Sequence, residues 1–426
     1  MGLDYSPKNS PEYSNARVDR FAKDTIFYGQ KTTLDNQIEI LERWKANTGK
    51  RKPKLVLIAT SGGGSRASLW TYHVLQNMYK ELPEQLPNNV HLITGASGGL
   101  VGASYFRQLL IERREKNLNS YYIHEQQHFN NLSKDLLNRL THTASTRDLF
   151  IRLKKVKQGN NTYVKDRGFA WEEQLNSNTG NLLDRNLGYY ASYERSGKIP
   201  LIVFTPTIVN DGRRLIINSQ SMRFVQSSHP DRVTRTGSNY VDLQSYFQDI
   251  SPQSLYFPTA IRTSATFPLV MPMISIPAKP EIRLADAGVR DNYGIEFCAD
   301  YVYALQDWIR RNTSGVVIIQ IRDTRKILDN FNYDNLNLFQ KLTLPFSLMT
   351  KNFTKTQDLE QDALLKMTVQ AMNFPMEVVT FNLRETTEDQ IALSWHLSNQ
   401  EKELIKRRID SESNLNSIKR LKELLK

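Results

Sequence analysis

Lys54-Leu55-Val56-Leu57-Ile58-Ala59-Thr60-Ser61-Gly62-Gly63-Gly64-Ser65-Arg66 decides the fold. A short apolar run, bounded by Pro53 and a glycine cluster, reads as a buried strand. A helix is expected from about Arg66 to Leu82, where Pro83 stops it. The pattern then repeats, with an apolar run at Val90–Thr94 and a second helix from about Gly98 to Glu115. Strand, tight glycine turn and helix, used twice, describe a parallel sheet with helical crossovers.

Working outward, residues 1–50 are polar and mixed, with Pro7 and Pro11 before a helical pattern near Leu34–Trp44. Residues 116–195 are rich in Asn, Gln and Lys and read as a helical insertion over the sheet. Further strands are expected at Ile199–Thr205, Arg213–Asn218, Met271–Ile276, Gly315–Ile321 and Glu377–Leu383. The polar segment Ser219–Ser254 reads as loop. From about Asn399 an amphipathic helix is expected, with Leu404, Ile405, Leu415, Ile418 and Leu421 on its apolar side.

Hydrophobic residues make up 39% of the chain and charged residues 23%, which is globular and excludes a disordered chain. The one cysteine, Cys298, excludes an intrachain disulfide, fits a reducing compartment and reads as a buried small apolar residue. No run approaches the ~20 apolar residues of a spanning helix. Met1-Gly2-Leu3-Asp4-Tyr5-Ser6 has no signal-peptide pattern. The expectation is a cytoplasmic or peripheral membrane protein, with an anchor upstream in the natural chain left open. The net charge of +12 favours anionic partners, either nucleic acid or lipid headgroups. Zinc-finger spacing and a basic heptad region are both missing, so no nucleic-acid partner is expected.

Three motifs carry chemistry. In Ser61-Gly62-Gly63-Gly64-Ser65-Arg66, successive glycines turn backbone N–H groups toward one point at a helix N-terminus, a cradle for an anion. It lacks the Gly-Lys-Ser/Thr ending of a nucleotide P-loop. Gly95-Ala96-Ser97-Gly98-Gly99 follows a strand and opens a helix, which is the context of a nucleophile elbow. Taken alone the five residues read sooner as a plain Gly/Ser turn, and the strand–motif–helix context reverses that reading. Ala285-Asp286-Ala287-Gly288-Val289, followed by Asn292-Tyr293-Gly294, puts a carboxylate in a small-residue turn, which alone is a common turn.

In this order the three motifs resemble the patatin-like phospholipase family, and Ser264-Ala265-Thr266-Phe267-Pro268 resembles its Ser-Ala-x-Phe-Pro stretch. The resemblance spans roughly residues 54–320. It departs at Ala287, where the family usually has glycine; the added methyl disfavours a positive φ. The resemblance implies a three-layer α/β/α fold with a mostly parallel central sheet. It also implies a metal-free, cofactor-free Ser97–Asp286 dyad acting on an acyl ester of a membrane phospholipid or lysolipid. Asp286 would accept the Ser97 proton, so burial must raise its pKa or proton transfer must be late. Backbone amides of Gly62, Gly63, Gly64 and Gly98 would hold the oxyanion, and Arg66 would brace the glycine loop. The chain then divides into an N-terminal arm (1–50), a catalytic domain (51–330) carrying the insertion at 116–195, and a C-terminal extension (331–426). The substrate places the protein in peripheral contact with anionic membrane; oligomeric state stays open.

Three other readings stand beside this one. Ser97, Asp286 and His396 satisfy the chain order of an α/β-hydrolase triad, although His396 beside Trp395 also reads as a packed core histidine. His124-Glu125-Gln126-Gln127-His128 fits the zinc-peptidase motif H-E-x-x-H. Glu172 and Glu173 are third-ligand candidates by type only. The plainer reading is a helix with an apolar stripe of Phe129, Leu132, Leu136 and Leu140 and the histidines on its polar flank. Lastly, a non-catalytic lipid-binding module could use the glycine cradle and a C-terminal helix rich in Lys and Arg, unless that helix simply docks on the protein.

Overall fold

In the computed structural model, Leu55–Thr60 is the middle strand of a five-stranded, all-parallel sheet. The order across the sheet is Met376–Arg384, Val316–Thr324, Leu55–Thr60, Val90–Gly95 and Leu201–Phe204. Described residues are 2–23, 31–143, 154–158, 161–228, 238–266, 271–324, 356–385 and 391–426. Every residue of the Leu55–Thr60 and Val90–Gly95 strands is buried, as expected where helices cover both faces.

Strand alternation sorts the core into two halves. Val56, Ile58 and Ile93 point to one face with Leu69, Leu100 and Phe106 of the helices Gly64–Glu81 and Ser97–Glu115. Leu55, Leu57 and Leu92 point to the other, against Leu41 and Trp44 of helix Thr33–Thr48 and Phe297 and Tyr301 of helix Ile295–Ala304. The result is the three-layer α/β/α arrangement expected. Helix Thr33–Thr48 begins at a reciprocal Thr32–Asp35 capping box and ends at Gly49, whose φ of 67° closes it in the left-handed region. Helix Thr33–Thr48 therefore shares one covering layer of the sheet with helix Ile295–Ala304.

A second five-stranded sheet was only partly foreseen. It runs Tyr240–Asp242, Arg214–Ile216, Thr207–Ile208, Ile282–Ala285, Ile274–Ile276, and all but its first pair are antiparallel. Ser219–Ser254 is not simply loop, since it contains helix Arg223–Ser228, strand Tyr240–Asp242 and the short helix Leu243–Tyr246. Its apolar residues Val241 and Leu243 are fully buried; a three-residue strand is too short to show a period among polar neighbours. The insertion also holds a hairpin, Lys154–Gln158 with Asn161–Lys165, in addition to its helices. The expected domain boundary near residue 330 lies outside the described residues, as do Phe267 and Pro268.

The C-terminal helix is two helices, Asn399–Arg408 and Glu412–Leu425, each opening on a serine. Ile405 and Leu421 are buried, but Leu404 and Leu415 are exposed; Leu404 is the immediate neighbour of Ile405, about 100° around the helix from it. These helices dock on helix Gly64–Glu81 and on the Met376–Arg384 strand, which covers part of their apolar side. No described helix is long and apolar enough to cross a membrane.

Candidate functional site

The site forms at the carboxyl ends of the central strands, where an open α/β sheet leaves a crevice. Ser97 is the first residue of its helix, directly after the Val90–Gly95 strand and the extended Ala96. Its φ is +45°, a left-handed conformation costing a non-glycine residue about 1–2 kcal/mol. The strain holds the side chain at the turn, and the residue is 8% exposed. Its own N–H donates to the Ser264 carbonyl at 2.7 Å.

The glycine loop lies alongside. A Cβ placed on Gly62 would sit 3.3 Å from the Ser97 Cβ. One placed on Gly98 would sit 1.9 Å from the Gly64 carbonyl oxygen, so only glycine lets the two helix N-termini meet this closely. The Gly62 N–H donates to the Asn292 carbonyl at 3.0 Å, which takes it out of the expected donor set; a loop crossing this close to another backbone satisfies its first amide there. The N–H groups of Gly63, Gly64 and Gly98 make no such bond among the described residues. They lie at the starts of two helices, where amides lack intrahelical partners and both dipoles are positive.

Asp286 follows the Ile282–Ala285 strand and caps the short turn Ala287–Val289, its Oδ1 accepting the Gly288 N–H at 2.8 Å. Ala287 needs no positive φ there, so the methyl in place of the family's glycine is accommodated. The carboxyl is buried, and Oδ2 has no hydrogen-bond partner among the described residues. Burial pushes its pKa up to about 7, while the Gly288 amide and then the nearby Ser97 hydroxyl pull it down. The Ser97 hydroxyl is thus close enough to favour the carboxylate as a hydrogen-bond donor, although Oδ2 closes no bond of good geometry. Such looseness is common before substrate binds.

Arg66 does not face the reacting groups. Its Nε and Nη2 reach Asp323 Oδ1 and Oδ2, both at 2.7 Å, and its Nη1 donates to the Ile391 carbonyl at 2.5 Å. Asp323 also accepts from Arg384 at 2.8 Å, and its N–H donates to Ser61 Oγ at 2.7 Å. This buried fork ties the glycine loop to the ends of two strands. Sequence reading missed Asp323 and Arg384, and it quoted Asn292 and Ser264 within motifs without giving them a role. For Asp323 the available signal was an acid just beyond the apolar run at Val316–Ile321.

His396 is not packed core, and the carboxylate its ring meets is Asp135, not Asp286. Its side chain is 55% exposed and its Nδ1 pairs with Asp135 on the insertion. Trp395, not His396, takes the core position and packs edge-on against Trp171. The H-E-x-x-H residues do not share one helix face. His124 ends the turn Ser120–His124, Glu125 breaks the geometry, and helix Gln126–Leu132 starts after it. His128 is buried, not on a polar flank, with Nδ1 against the Tyr105 hydroxyl at 3.0 Å. Glu172 is held by Arg262 and Thr259. Among the described residues no cluster of three metal-ligating side chains forms. Phe129, Leu132, Leu136 and Leu140 are buried as expected, and so is Cys298.

No curated protein matches the chain. Among solved structures it is similar to human GIVD cytosolic phospholipase A2, at 12% identity and a TM-score of 0.39, over 100% of this chain and 68% of that one. It is also similar to VipD from Legionella pneumophila, at 11% identity and a TM-score of 0.33, over 87% of this chain and 67% of that one. The chain thus spans about two thirds of the length of these proteins. The patatin-like phospholipase family model matches residues 58–299, more than half of the sequence and all three motifs. The chain belongs to the patatin-like phospholipase family.

Proposed function

We propose that this chain is a serine lipid acyl hydrolase, cleaving fatty-acyl esters of membrane phospholipids or lysophospholipids with Ser97 as nucleophile and Asp286 as base. Ser97 Oγ attacks the ester carbonyl as its proton passes to the Asp286 carboxylate. The carbonyl oxygen takes up the negative charge and draws hydrogen bonds from the amides of Gly63, Gly64 and Gly98. A donor of this kind is typically worth about 3–4 kcal/mol in the transition state. Collapse expels the lysolipid or glycerol oxygen, which takes the proton back from Asp286. Water then attacks the acyl-serine by the same route in reverse.

One observation carries this reading. A serine held at φ +45° beside two helix N-termini lies next to a buried carboxylate whose pKa is raised to about 7. An ordinary aspartate near ~3.9 is a poor base for a hydroxyl, whereas one near neutrality is matched to the task. The same reading divides the chain into an arm (1–50), a catalytic unit (51–330) with its insertion (116–195), and an extension (331–426).

The test is labelling by a fluorophosphonate probe in wild type, Ser97→Ala and Asp286→Ala. Labelling of wild type alone supports both assignments. Full labelling of Asp286→Ala would remove the base from the mechanism, and labelling of Ser97→Ala would remove the nucleophile.

A further inference from the structure

Large apolar side chains exposed to water are unremarkable singly, but three of them stand beside the site on three separate segments. Leu393 is 66% exposed and adjoins Ser394, whose carbonyl accepts the Ser65 N–H of the glycine loop at 2.9 Å. Leu359 is 60% exposed on the helical residues 356–371, two positions from Gln357. Gln357 Nε2 donates to the carbonyls of Gly288 and Val289, in the turn that carries Asp286. Met273 is 42% exposed and precedes the Ile274–Ile276 strand, in which Ile274 pairs with Leu284, two residues before Asp286.

Helix 356–371 is inverted at this end. Gln357, Asp358 and Gln361 turn inward, bonded to Gly288, Arg322 and Asp291, while Leu359 turns out. An amphipathic helix packed on its own protein normally does the opposite. Here the polar groups are needed to anchor the Asp286 turn, and the apolar side chain is left facing outward. Arg290, in the same turn, is also exposed.

The geometry points to a lipid-bilayer docking surface made of Met273, Leu359 and Leu393, encircling the mouth of the site. This rests on the proposed acyl hydrolase function. A substrate anchored in a bilayer must reach a nearly buried hydroxyl, and apolar side chains at the rim let the mouth sit at the level of the acyl chains. Arg290 suits the phosphate layer directly above. The C-terminal helices pack on the protein through Ile405 and Leu421; their exposed Leu404 and Leu415 serve as the comparison pair.

Binding to vesicles of phosphatidylcholine with phosphatidylglycerol is measured in a Ser97→Ala background, which removes turnover. The triple variant Met273→Ser, Leu359→Ser, Leu393→Ser is expected to bind at least about tenfold more weakly, since each side chain loses the apolar area it would bury among acyl chains. The pair Leu404→Ser, Leu415→Ser is expected to bind like the parent. With Ser97 intact, the triple variant should lose hydrolysis of vesicle lipid but keep wild-type hydrolysis of a monomeric short-chain ester, with unchanged melting temperature. Unchanged vesicle binding by the triple variant overturns the proposal. So does a wild-type dimer that the triple variant converts to monomer without lipid, because a second copy would then cover these residues. If wild type hydrolyses neither substrate, the acyl hydrolase reading fails, while the binding comparison still decides the docking surface.

Discussion

The N–H of Ser97 donates to the carbonyl of Ser264 at 2.7 Å. That carbonyl also receives the Ala287 N–H at 3.4 Å, and Thr266 accepts from the Asp286 N–H at 3.1 Å. The short segment Ser264–Thr266 therefore holds the serine and the aspartate to one reference point, although they are far apart in the chain. Several consequences can be measured.

On the proposed mechanism, the pH dependence follows from Asp286. Only its ionised form can take a proton, and its pKa is raised to about 7 by burial. Ester hydrolysis, as kcat/KM, should fall about tenfold per pH unit below an inflection near neutrality and level off above it. A plateau extending down through pH ~5 would show that some other group is the base.

Stability should move the opposite way. The folded-state pKa lies above the unfolded value, so the native state holds this proton more tightly. That contribution is complete below about pH 3.9 and is lost as pH rises toward about 7. Asp286→Asn cannot ionise and escapes the loss. Relative to wild type it should gain stability between about pH 4 and pH 8, by up to roughly 4 kcal/mol. Urea unfolding at both pH values checks this, and a constant difference would mean the carboxyl is not buried as described.

Ser97 carries backbone strain that glycine would not. Ser97→Gly should abolish hydrolysis yet stabilise the fold by about 0.5–1 kcal/mol, the relief of a left-handed residue less the added chain entropy. Thermal unfolding reads this directly. A destabilised variant would indicate that the hydroxyl, not the backbone, dominates the local energetics.

Removing Asp323 leaves Arg66 buried without its counter-ion. Asp323→Ala should cost about 3–5 kcal/mol and loosen the glycine loop, lowering kcat more than it raises KM. Asp323→Asn, which keeps one acceptor, should cost less. Equal, small effects from both would mean the fork is not what holds the loop.

His396→Ala should leave ester turnover within about twofold of wild type, as for other exposed positions. A loss of about a thousandfold or more would reinstate a triad.

The family motifs were legible because each is local. A strand, a glycine turn and a helix are set by residues within reach of one another, so the Gly62–Gly64 loop and the Ser97 elbow could be read from the chain. The same locality explains the failures. The Gly62 amide looked available until the fold brought in Asn292, some 230 residues away. His396 looked like a core or catalytic residue until Trp395 took the buried position and turned it toward Asp135. The Tyr240–Asp242 strand was too short to show a period, and its pairing with Arg214–Ile216 supplies what its own sequence lacks.

Sequence alone determined the parallel sheet and the two glycine turns, because apolar periodicity and backbone conformational freedom are properties of neighbouring residues; Ser97 and Asp286 were singled out by the resemblance of the three motifs together, and their roles are proposals. Only the tertiary structure decided which amides remain open, which arginine is tied down, and how far burial raises the Asp286 pKa. Those depend on partners distant in the chain and on the exclusion of water, neither of which a local pattern encodes.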